Sequence, residues 1–176
     1  MNSKAFIDQL LASGLTFFSG IPDSALKNFV KEVDILKSEA ERSVKKTARV
    51  VYVAHEGLAV ARAIGNYLAT GKPGVIFLQN AGLGVTINPL VSLLSKEVFN
   101  IPVLLIIGWR GKPGQLDEPQ HNLQGQITLP LLELCQISHL IVNKESTLDQ
   151  IKYEIENSIF AKVPKSLALV VEPGIL

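Results

Sequence analysis

The chain has 176 residues, of which 47% are hydrophobic and 19% charged, and its formal net charge is +1. This apolar composition suffices for a large buried core and argues against intrinsic disorder. The balanced charge gives no reason to expect a nucleic-acid or membrane-surface partner. A single cysteine, Cys135, excludes an internal disulfide framework and a cysteine-cluster metal site. No apolar run reaches the ~20 residues that span a bilayer, so we expect a cytoplasmic protein.

Short apolar runs alternate with longer amphipathic segments along the chain. The predicted strands are rich in Val, Ile, Leu and Phe, and they cover residues 15–19, 49–53, 75–79, 103–107, 140–142 and 167–171. The predicted helices cover residues 3–12, 24–32, 56–70, 85–96, 129–134 and 147–161. This alternation predicts one domain over residues 1–176 of the α/β class, with three α/β/α layers and a six-stranded, mainly parallel sheet.

Two segments do not fit the alternation. Residues 34–48 are polar and charged, which is typical of a solvated helix followed by a loop. Residues 108–125, GWRGKPGQLDEPQHNLQG, are polar and interrupted by Gly and Pro, which predicts a long loop. Loops of this length inside a compact domain are often functional.

Glycines and polar residues follow each of the first four predicted strands. The sequences are GIPDS, AHEG, QNAGLG and GWRG, and the fourth precedes the segment that contains His121. Ligands of open parallel sheets bind at the carboxyl ends of the strands, so these segments predict a site at that edge. The QNAGLG turn matches neither GxGxxG nor GxxxxGK[ST], which favours a tight strand-to-helix turn over a nucleotide-binding loop.

One carboxylate of this group, Glu56, opens an apolar helix directly after the second predicted strand. The helix dipole favours an acid at that position, so the pattern alone is compatible with a structural role. The residue types therefore leave open whether Glu56 caps a helix or takes part in chemistry.

Three longer segments carry a resemblance to a known family. They are HEGLAVARAIGNYLATGKPGVIFLQNAGLG, NPLVSLLSKEVFNIPVLLIIGWRG and DEPQHNLQG. Together they resemble the N-terminal, pyrimidine-binding domain of thiamine-diphosphate-dependent 2-oxo acid decarboxylases. Within that family the chain is most similar to phosphonopyruvate decarboxylases, and next to the alpha chains of sulfopyruvate decarboxylases.

The resemblance implies a catalytic role for Glu56. In the family, a glutamate at this place hydrogen-bonds the ring nitrogen N1′ of the cofactor's aminopyrimidine. A partly desolvated carboxylate can share a proton with such a nitrogen. The implied reaction converts 3-phosphonopyruvate to phosphonoacetaldehyde and CO₂.

Other roles are implied with structural alternatives beside them. Asp23 and Ser24 would orient substrate or relay a proton, or would cap the following helix. His121 would be an acid or an anion donor, or an ordinary loop histidine. Arg110 would clamp a substrate anion, or would pair with an acid such as Asp117 or Glu118.

The turn after the third predicted strand would border the cofactor. Gln79 and Asn80 would contact the pyrimidine or shape its pocket, and Gly82 and Gly84 would line the same place. A plain strand-end turn is the structural alternative for this segment.

One part of the family pattern is missing from this sequence. Family members hold Mg²⁺ and the diphosphate through a GDG motif and a later asparagine, and no GDG occurs here. We therefore expect no metal site on this chain and a partner that supplies Mg²⁺, either a beta subunit or a diphosphate-binding domain, in a homo- or hetero-oligomer. Two alternatives remain: the alpha subunit of a sulfopyruvate decarboxylase, and a non-catalytic interaction or regulatory domain that keeps the fold.

Overall fold

Six parallel strands form the centre of the computed structural model, which describes residues 1–43 and 48–176. The strand order is β2-β1-β3-β4-β6-β5. The strands are β1 (Phe17–Gly20), β2 (Arg49–Tyr52), β3 (Gly74–Gln79), β4 (Val103–Gly108), β5 (Ser138–Val142) and β6 (Leu167–Val171). All described pairings are parallel, which confirms the predicted α/β sheet.

Helices cover both faces of this sheet. They are α1 (Ser3–Ala12), α2 (Lys27–Arg42), α3 (Glu56–Thr70), a single turn α4 (Ile87–Pro89), α5 (Pro119–Leu134) and α6 (Leu148–Ser158). The first core joins α1, α2 and α6 to one face of the sheet through side chains such as Phe6, Phe29 and Ile151. The second joins α3 and the end of α5 to the other face, through Ala59, Ala63 and Leu132. The predicted three layers are therefore confirmed.

The chain reverses its direction of progress across the sheet at β1 and β3. From β1 it moves outward to β2, and it then returns to place β3 on the other side of β1. Loops that leave the carboxyl ends of these two strands diverge and open a crevice between them, which is where ligands bind in sheets of this kind.

The helix α2 is longer than the sequence predicts. Its buried residues Phe29, Val33, Leu36 and Ala40 recur at helical spacing as far as residue 40. Residues 34–42 therefore belong to a packed helix with one solvated face, whereas residues 44–47 of the predicted loop lie outside the described residues.

The prediction of a long loop over residues 108–125 is wrong for its second half. Only residues 109–118 are irregular, and α5 begins at Pro119, where the missing N–H of proline costs no helical hydrogen bond. His121 therefore lies in the first turn of a helix. Gly125 is typical of a helix breaker in the sequence, yet it lies inside α5. A glycine is needed there because a side chain would collide with the Gly111 carbonyl.

The predicted helix 85–96 is replaced by three short pieces. A 3₁₀ helix (Asn80–Thr86) leads into α4, and a π-helical turn (Leu90–Leu94) follows. Pro89 cannot donate a backbone hydrogen bond, which weakens a regular α-helical ladder through this segment. The irregular backbone nevertheless buries Leu83, Leu90 and Leu94 in the second core.

Candidate functional site

The site predicted at the carboxyl edge of the sheet is built from the segments after β1, β2, β3 and β4. The carboxylate of Asp23, three residues beyond β1, accepts hydrogen bonds from the Ala25 backbone N–H at 2.8 Å and from Nε2 of Gln79 at 2.6 Å. Gln79 is the last residue of β3. The two strands at the reversal point are thus connected by a side-chain contact. The bond to Ala25 also caps the short 3₁₀ helix Ser24–Leu26, in which Ser24 is exposed.

The backbone of β4 approaches the same place. A Cβ added to Gly108, the last residue of β4, would collide with Ala25 and come close to Oδ1 of Asp23. A glycine at this position therefore lets the strand end come close to the Asp23 loop.

Glu56 opens α3 after the loop that leaves β2, and its side chain is half-buried. The preceding residue, His55, is the N-cap of α3, and its Nδ1 accepts a hydrogen bond from the Leu58 N–H at 3.3 Å. Within residues 1–43 and 48–176, no group donates a hydrogen bond to the Glu56 carboxylate. The cap is therefore supplied by His55, and the carboxylate remains available to a ligand.

Gly82, in the turn after β3, packs directly against Glu56. A Cβ at residue 82 would overlap Cδ and Oε1 of the Glu56 side chain. Gly82 is buried, whereas Gly84 is exposed and has open space beside it. The absence of a side chain at residue 82 thus leaves room for the Glu56 carboxylate.

Asn80 is buried and its amide is fully engaged. Its Nδ2 donates to the Arg110 carbonyl and to Oγ1 of Thr128, both at 2.9 Å, and its Oδ1 accepts from the Arg110 N–H at 3.0 Å. Asn80 therefore shapes the site by holding the loop after β4 to α5. The sequence pattern gives no signal for Thr128, which lies just before the predicted helix 129–134 and falls on the buried face of α5 in the structure.

Arg110 is paired with an acid, which was one of the two alternatives in the sequence. Its guanidinium donates to Asp117 through Nη2 and through Nε, the latter at 2.8 Å. The Asp117 carboxylate also accepts from the backbone N–H groups of Gly111 and Glu118. The hydrogen bonds from Arg110 hold the pKa of Asp117 well below its usual value, and the same pair raises the pKa of Arg110. Nη1 of Arg110 takes no part in the pairing with Asp117.

His121 lies in the first turn of α5 and is half-buried. Its backbone packs against Gly111, where a Cβ would collide with the His121 carbonyl. Trp109 donates from Nε1 to the Gly125 carbonyl at 2.9 Å and so anchors the start of the same loop on α5. These contacts bring His121 to the loop that contains Arg110, although the structure records no hydrogen bond of its ring among the described residues.

Residues 2–131 match the family described as "thiamine pyrophosphate enzyme, N-terminal TPP binding domain". The chain belongs to this family. It is 37% identical over 159 residues to a phosphonopyruvate decarboxylase of Streptomyces viridochromogenes, covering 90% of this chain and 35% of that protein. It is 31% identical over 171 residues to a sulfopyruvate decarboxylase subunit alpha of Methanocaldococcus jannaschii, covering 96% of this chain and 91% of that protein.

A solved structure shares the fold. The thiamine diphosphate-dependent 4-hydroxybenzoylformate decarboxylase of Rhodococcus jostii RHA1 superimposes with a TM-score of 0.65 at 17% identity, over 98% of this chain and 30% of that one. The chain spans about a third of the length of the Streptomyces relatives that it matches. In the described part of the chain, no helix is both long and apolar enough to cross a membrane. The same residues contain no group of three or more His, Cys, Asp or Glu side chains placed to hold a metal ion.

Proposed function

We propose that this chain is the pyrimidine-binding half of a thiamine-diphosphate-dependent decarboxylase that converts 3-phosphonopyruvate to phosphonoacetaldehyde and CO₂. The proposal depends on one observation above the others. Glu56 offers a half-buried carboxylate with no hydrogen-bond donor in the described chain, packed against a buried glycine at the reversal point of the sheet. The names of the Streptomyces relatives support the substrate.

The residues at the carboxyl edge fit an aminopyrimidine ring. A ring nitrogen requires a partner that can share a proton, and Glu56 has no internal partner that competes for its carboxylate. A flat ring also needs open space beside the carboxylate, and Gly84, in the same turn as Gly82, has nothing within 4 Å of an added Cβ. When bound, thiamine diphosphate supplies the thiazolium that takes up the electrons left by departing CO₂.

The chain's own residues would transfer protons and orient the substrate. Glu56 exchanges a proton between its carboxylate oxygen and the ring nitrogen. Gln79 and the Ala25 N–H hold the carboxylate of Asp23 in one orientation, beside the Ser24 hydroxyl. These two side chains orient the substrate or relay a proton near the reacting carbon. His121, in the first turn of α5, would donate to the substrate's anionic group or return a proton.

Arg110 contributes to substrate binding through the donors that Asp117 does not use. Its Nη1 amino group points away from that pair and can donate to a phosphonate oxygen. Asp117 then fixes the direction of the guanidinium. Asn80 supports the same loop from below through the Arg110 backbone.

The diphosphate and Mg²⁺ belong, in this proposal, to a second domain or to a beta subunit, because the sequence lacks the GDG motif through which the family holds them. The assembled enzyme is an oligomer, and its expected location is the cytoplasm. A specific observation also favours the second candidate substrate, sulfopyruvate. The chain covers 91% of a sulfopyruvate decarboxylase subunit alpha, which is a chain of similar length.

Turnover by the holoenzyme, assembled with its diphosphate-binding domain, tests the proposal. We expect Glu56→Gln to lower kcat at least about 100-fold, because proton exchange with the ring is lost. Gly82→Ala should also lower kcat, because its Cβ displaces the Glu56 carboxylate. Glu156→Gln on the exposed face of α6 and Gly65→Ala in open space on α3 are the matched controls.

Near-normal turnover by Glu56→Gln would contradict the mechanism. The ratio of kcat/KM for the two substrates distinguishes the first candidate from the second, and we expect phosphonopyruvate to be preferred by about tenfold or more. If the chain binds neither thiamine diphosphate nor a diphosphate-binding domain, the non-catalytic interaction domain is the correct assignment.

A further inference from the structure

A cavity of about 470 Å³ opens at the amino-terminal edge of the sheet, away from the candidate site. It lies where the chain enters β4, β5 and β6. Because β4 has six residues, the two edges are about 20 Å apart at ~3.3 Å per residue. The walls come from the end of the π-helical turn, the end of α5 and the loop before β6, and they include Leu94, Lys96, Cys135, Ile137 and Lys165.

The cavity has an apolar floor and a positive rim. Two buried aliphatic side chains, Leu94 and Ile137, line the floor, whereas Val91, Leu134 and Val163 are exposed at its border. The charged residues that line it are Lys96 and Lys165, and neither forms an ion pair with a described residue. Ammonium groups without a carboxylate partner, beside an apolar surface, favour a ligand that carries both an anion and an apolar body.

Hydrogen bonds between side chains and the backbone fix the walls of this cavity. Asn100, at a φ of 49°, donates from Nδ2 to the Pro164 carbonyl at 3.3 Å. The hydroxyl of Ser166 accepts from the Val103 N–H at 3.2 Å and donates to the Ile101 carbonyl at 3.4 Å. These bonds join the loops that precede β4 and β6. The cavity therefore exists before any ligand binds, which lowers the entropy lost on binding.

The carboxyl end of α5 borders the cavity, and free helix carbonyls there would repel an anion. Two backbone hydrogen bonds after α5 reduce this repulsion. Gln136, at a φ of 57°, donates its N–H to the Glu133 carbonyl, and Ile137 donates to the Leu132 carbonyl, both at 2.9 Å. This is the Schellman arrangement, which satisfies carbonyls of the last turn. Two of these carbonyls are therefore less available to repel an anion bound beside the lysines.

We propose that this cavity is a second ligand site, which binds a phosphomonoester with an apolar body. A lysine acts as a point charge for phosphate, and two of them match its double negative charge. Inorganic phosphate alone would leave the apolar floor uncovered. A neutral ring alone would leave Lys96 and Lys165 without a counter-charge. The volume lies within the range of small-molecule sites.

The test compares four probes by amide chemical-shift titration of the full 176-residue chain. Phenyl phosphate and AMP carry both features, whereas phenol and inorganic phosphate carry one each. We expect phenyl phosphate and AMP to bind at least about tenfold more tightly than phenol and phosphate. The shifts should fall on residues around the cavity, such as Ser95, Gln136 and Ser166. Equal affinity for all four probes, or shifts at the carboxyl edge, would overturn the proposal.

Charge variants define which lysines matter. We expect Lys96→Gln and Lys165→Gln each to weaken phenyl phosphate binding by about fivefold or more. The matched control is Lys162→Gln, a lysine of the same loop that does not line the cavity. If the control weakens binding as much as the two lining variants do, a diffuse positive surface explains the result and the proposal is wrong.

The chain's single cysteine provides an independent readout. Cys135 lines the cavity and is half-buried, and burial raises the pKa of its thiol. We expect saturating phenyl phosphate to slow alkylation of Cys135 by iodoacetamide about fivefold at about pH 8.5. Protection should disappear in the double variant of Lys96 and Lys165. Added 4-amino-2,5-dimethylpyrimidine, which carries no phosphate, should not relieve this protection, because the proposed cofactor site lies at the other edge; competition would place the probe there and overturn the proposal.

Discussion

At the scale of single residues, the candidate site separates side chains that are held from others that are left free. Asp23, Asn80 and Arg110 each have at least two hydrogen-bond contacts within the chain. Glu56, like His121, has no side-chain hydrogen bond recorded among the described residues, although it packs against Gly82. A buried group held by the chain shapes a pocket, whereas a positioned group without a partner can serve a ligand.

The pair of Arg110 and Asp117 predicts how stability depends on pH. The pKa of Asp117 is lowered by the hydrogen bonds from Arg110, so the folded state favours the ionised carboxylate. This contribution to stability is present above the ordinary pKa of 3.8 and is lost as the pH falls below it. Removing the charge of Asp117 should therefore lower the stability at neutral pH and lower it less in acid.

We expect Asp117→Asn to lower the free energy of unfolding by about 1–3 kcal/mol at neutral pH. The difference from the parent chain should shrink as the pH falls from about 4 to 2. Urea denaturation at a series of pH values measures it. The control is Asp149→Asn, an exposed acid of α6, with an expected change within about 0.5 kcal/mol. A difference that stays constant down to about pH 2 would show that the charge of Asp117 is not the cause.

At the scale of elements, two glycines determine how the loop after β4 meets α5. The carbonyl of Gly111 lies where a Cβ of Gly125 would be, and the backbone of His121 lies where a Cβ of Gly111 would be. Gly111 also has a φ of 65°, which glycine adopts without strain. This close backbone contact positions both Arg110 and His121, so the geometry of the site depends on two residues with no side chain.

Gly125→Ala should separate the loop from α5. The overlap is with a backbone carbonyl, which cannot rotate away as a side chain can, so we expect a loss of about 1–3 kcal/mol in stability. The bond from Trp109 to the Gly125 carbonyl should break as well. Because Trp109 is the chain's single tryptophan, its fluorescence should shift to the red.

Gly65→Ala in α3 is the matched control for that variant. Nothing lies within 4 Å of a Cβ at residue 65, so alanine should stabilise the helix by about 0.5–1 kcal/mol. Thermal denaturation and tryptophan emission of both variants provide the comparison. If Gly125→Ala unfolds at the parent temperature with unchanged emission, the contact between the loop and α5 is not rigid.

The elements also show where sequence reasoning succeeds and where it does not. Continuous apolar runs such as residues 103–107 predict buried parallel strands, because both faces of such a strand are covered. The start of α5 could not be predicted, because Gly125 is a packing requirement of a distant loop and reads locally as a helix breaker. The shape of residues 80–94 was missed for a related reason, since tertiary burial of Leu83 and Leu90 stabilises a backbone that is not an α-helix.

Part of the site was open to sequence reasoning. The strand ends predicted which segments converge, because parallel strands place their carboxyl ends at one edge. The partners within that edge were not predictable, since Gln79 meets Asp23 from 56 positions away and Thr128 meets Asn80 from 48. Such pairs depend on strand order, which the pattern of one sequence does not determine.

At the scale of the whole molecule, the sheet separates two regions of different chemistry. The carboxyl edge carries Glu56, Asp23 and His121, whereas the amino edge carries the cavity with Lys96 and Lys165. Every strand of the sheet is parallel, so every loop that follows a strand reaches the first edge and every loop that precedes one reaches the second. The loops whose amide shifts change on addition of a small ligand therefore show at which edge of the sheet the ligand binds.

This separation predicts where a fragment of the cofactor binds. We expect 4-amino-2,5-dimethylpyrimidine to shift the amides of Gly20, Glu56 and Gly82 in the full chain, and to leave the amino edge unchanged. Glu56→Gln should weaken this binding by about fivefold or more, because the partner of the ring nitrogen is changed. Glu156→Gln, on the exposed face of α6, should leave it unchanged. Shifts centred on the cavity, or equal affinity for the Glu56 variant and the parent chain, would contradict the assignment of the carboxyl edge to the pyrimidine.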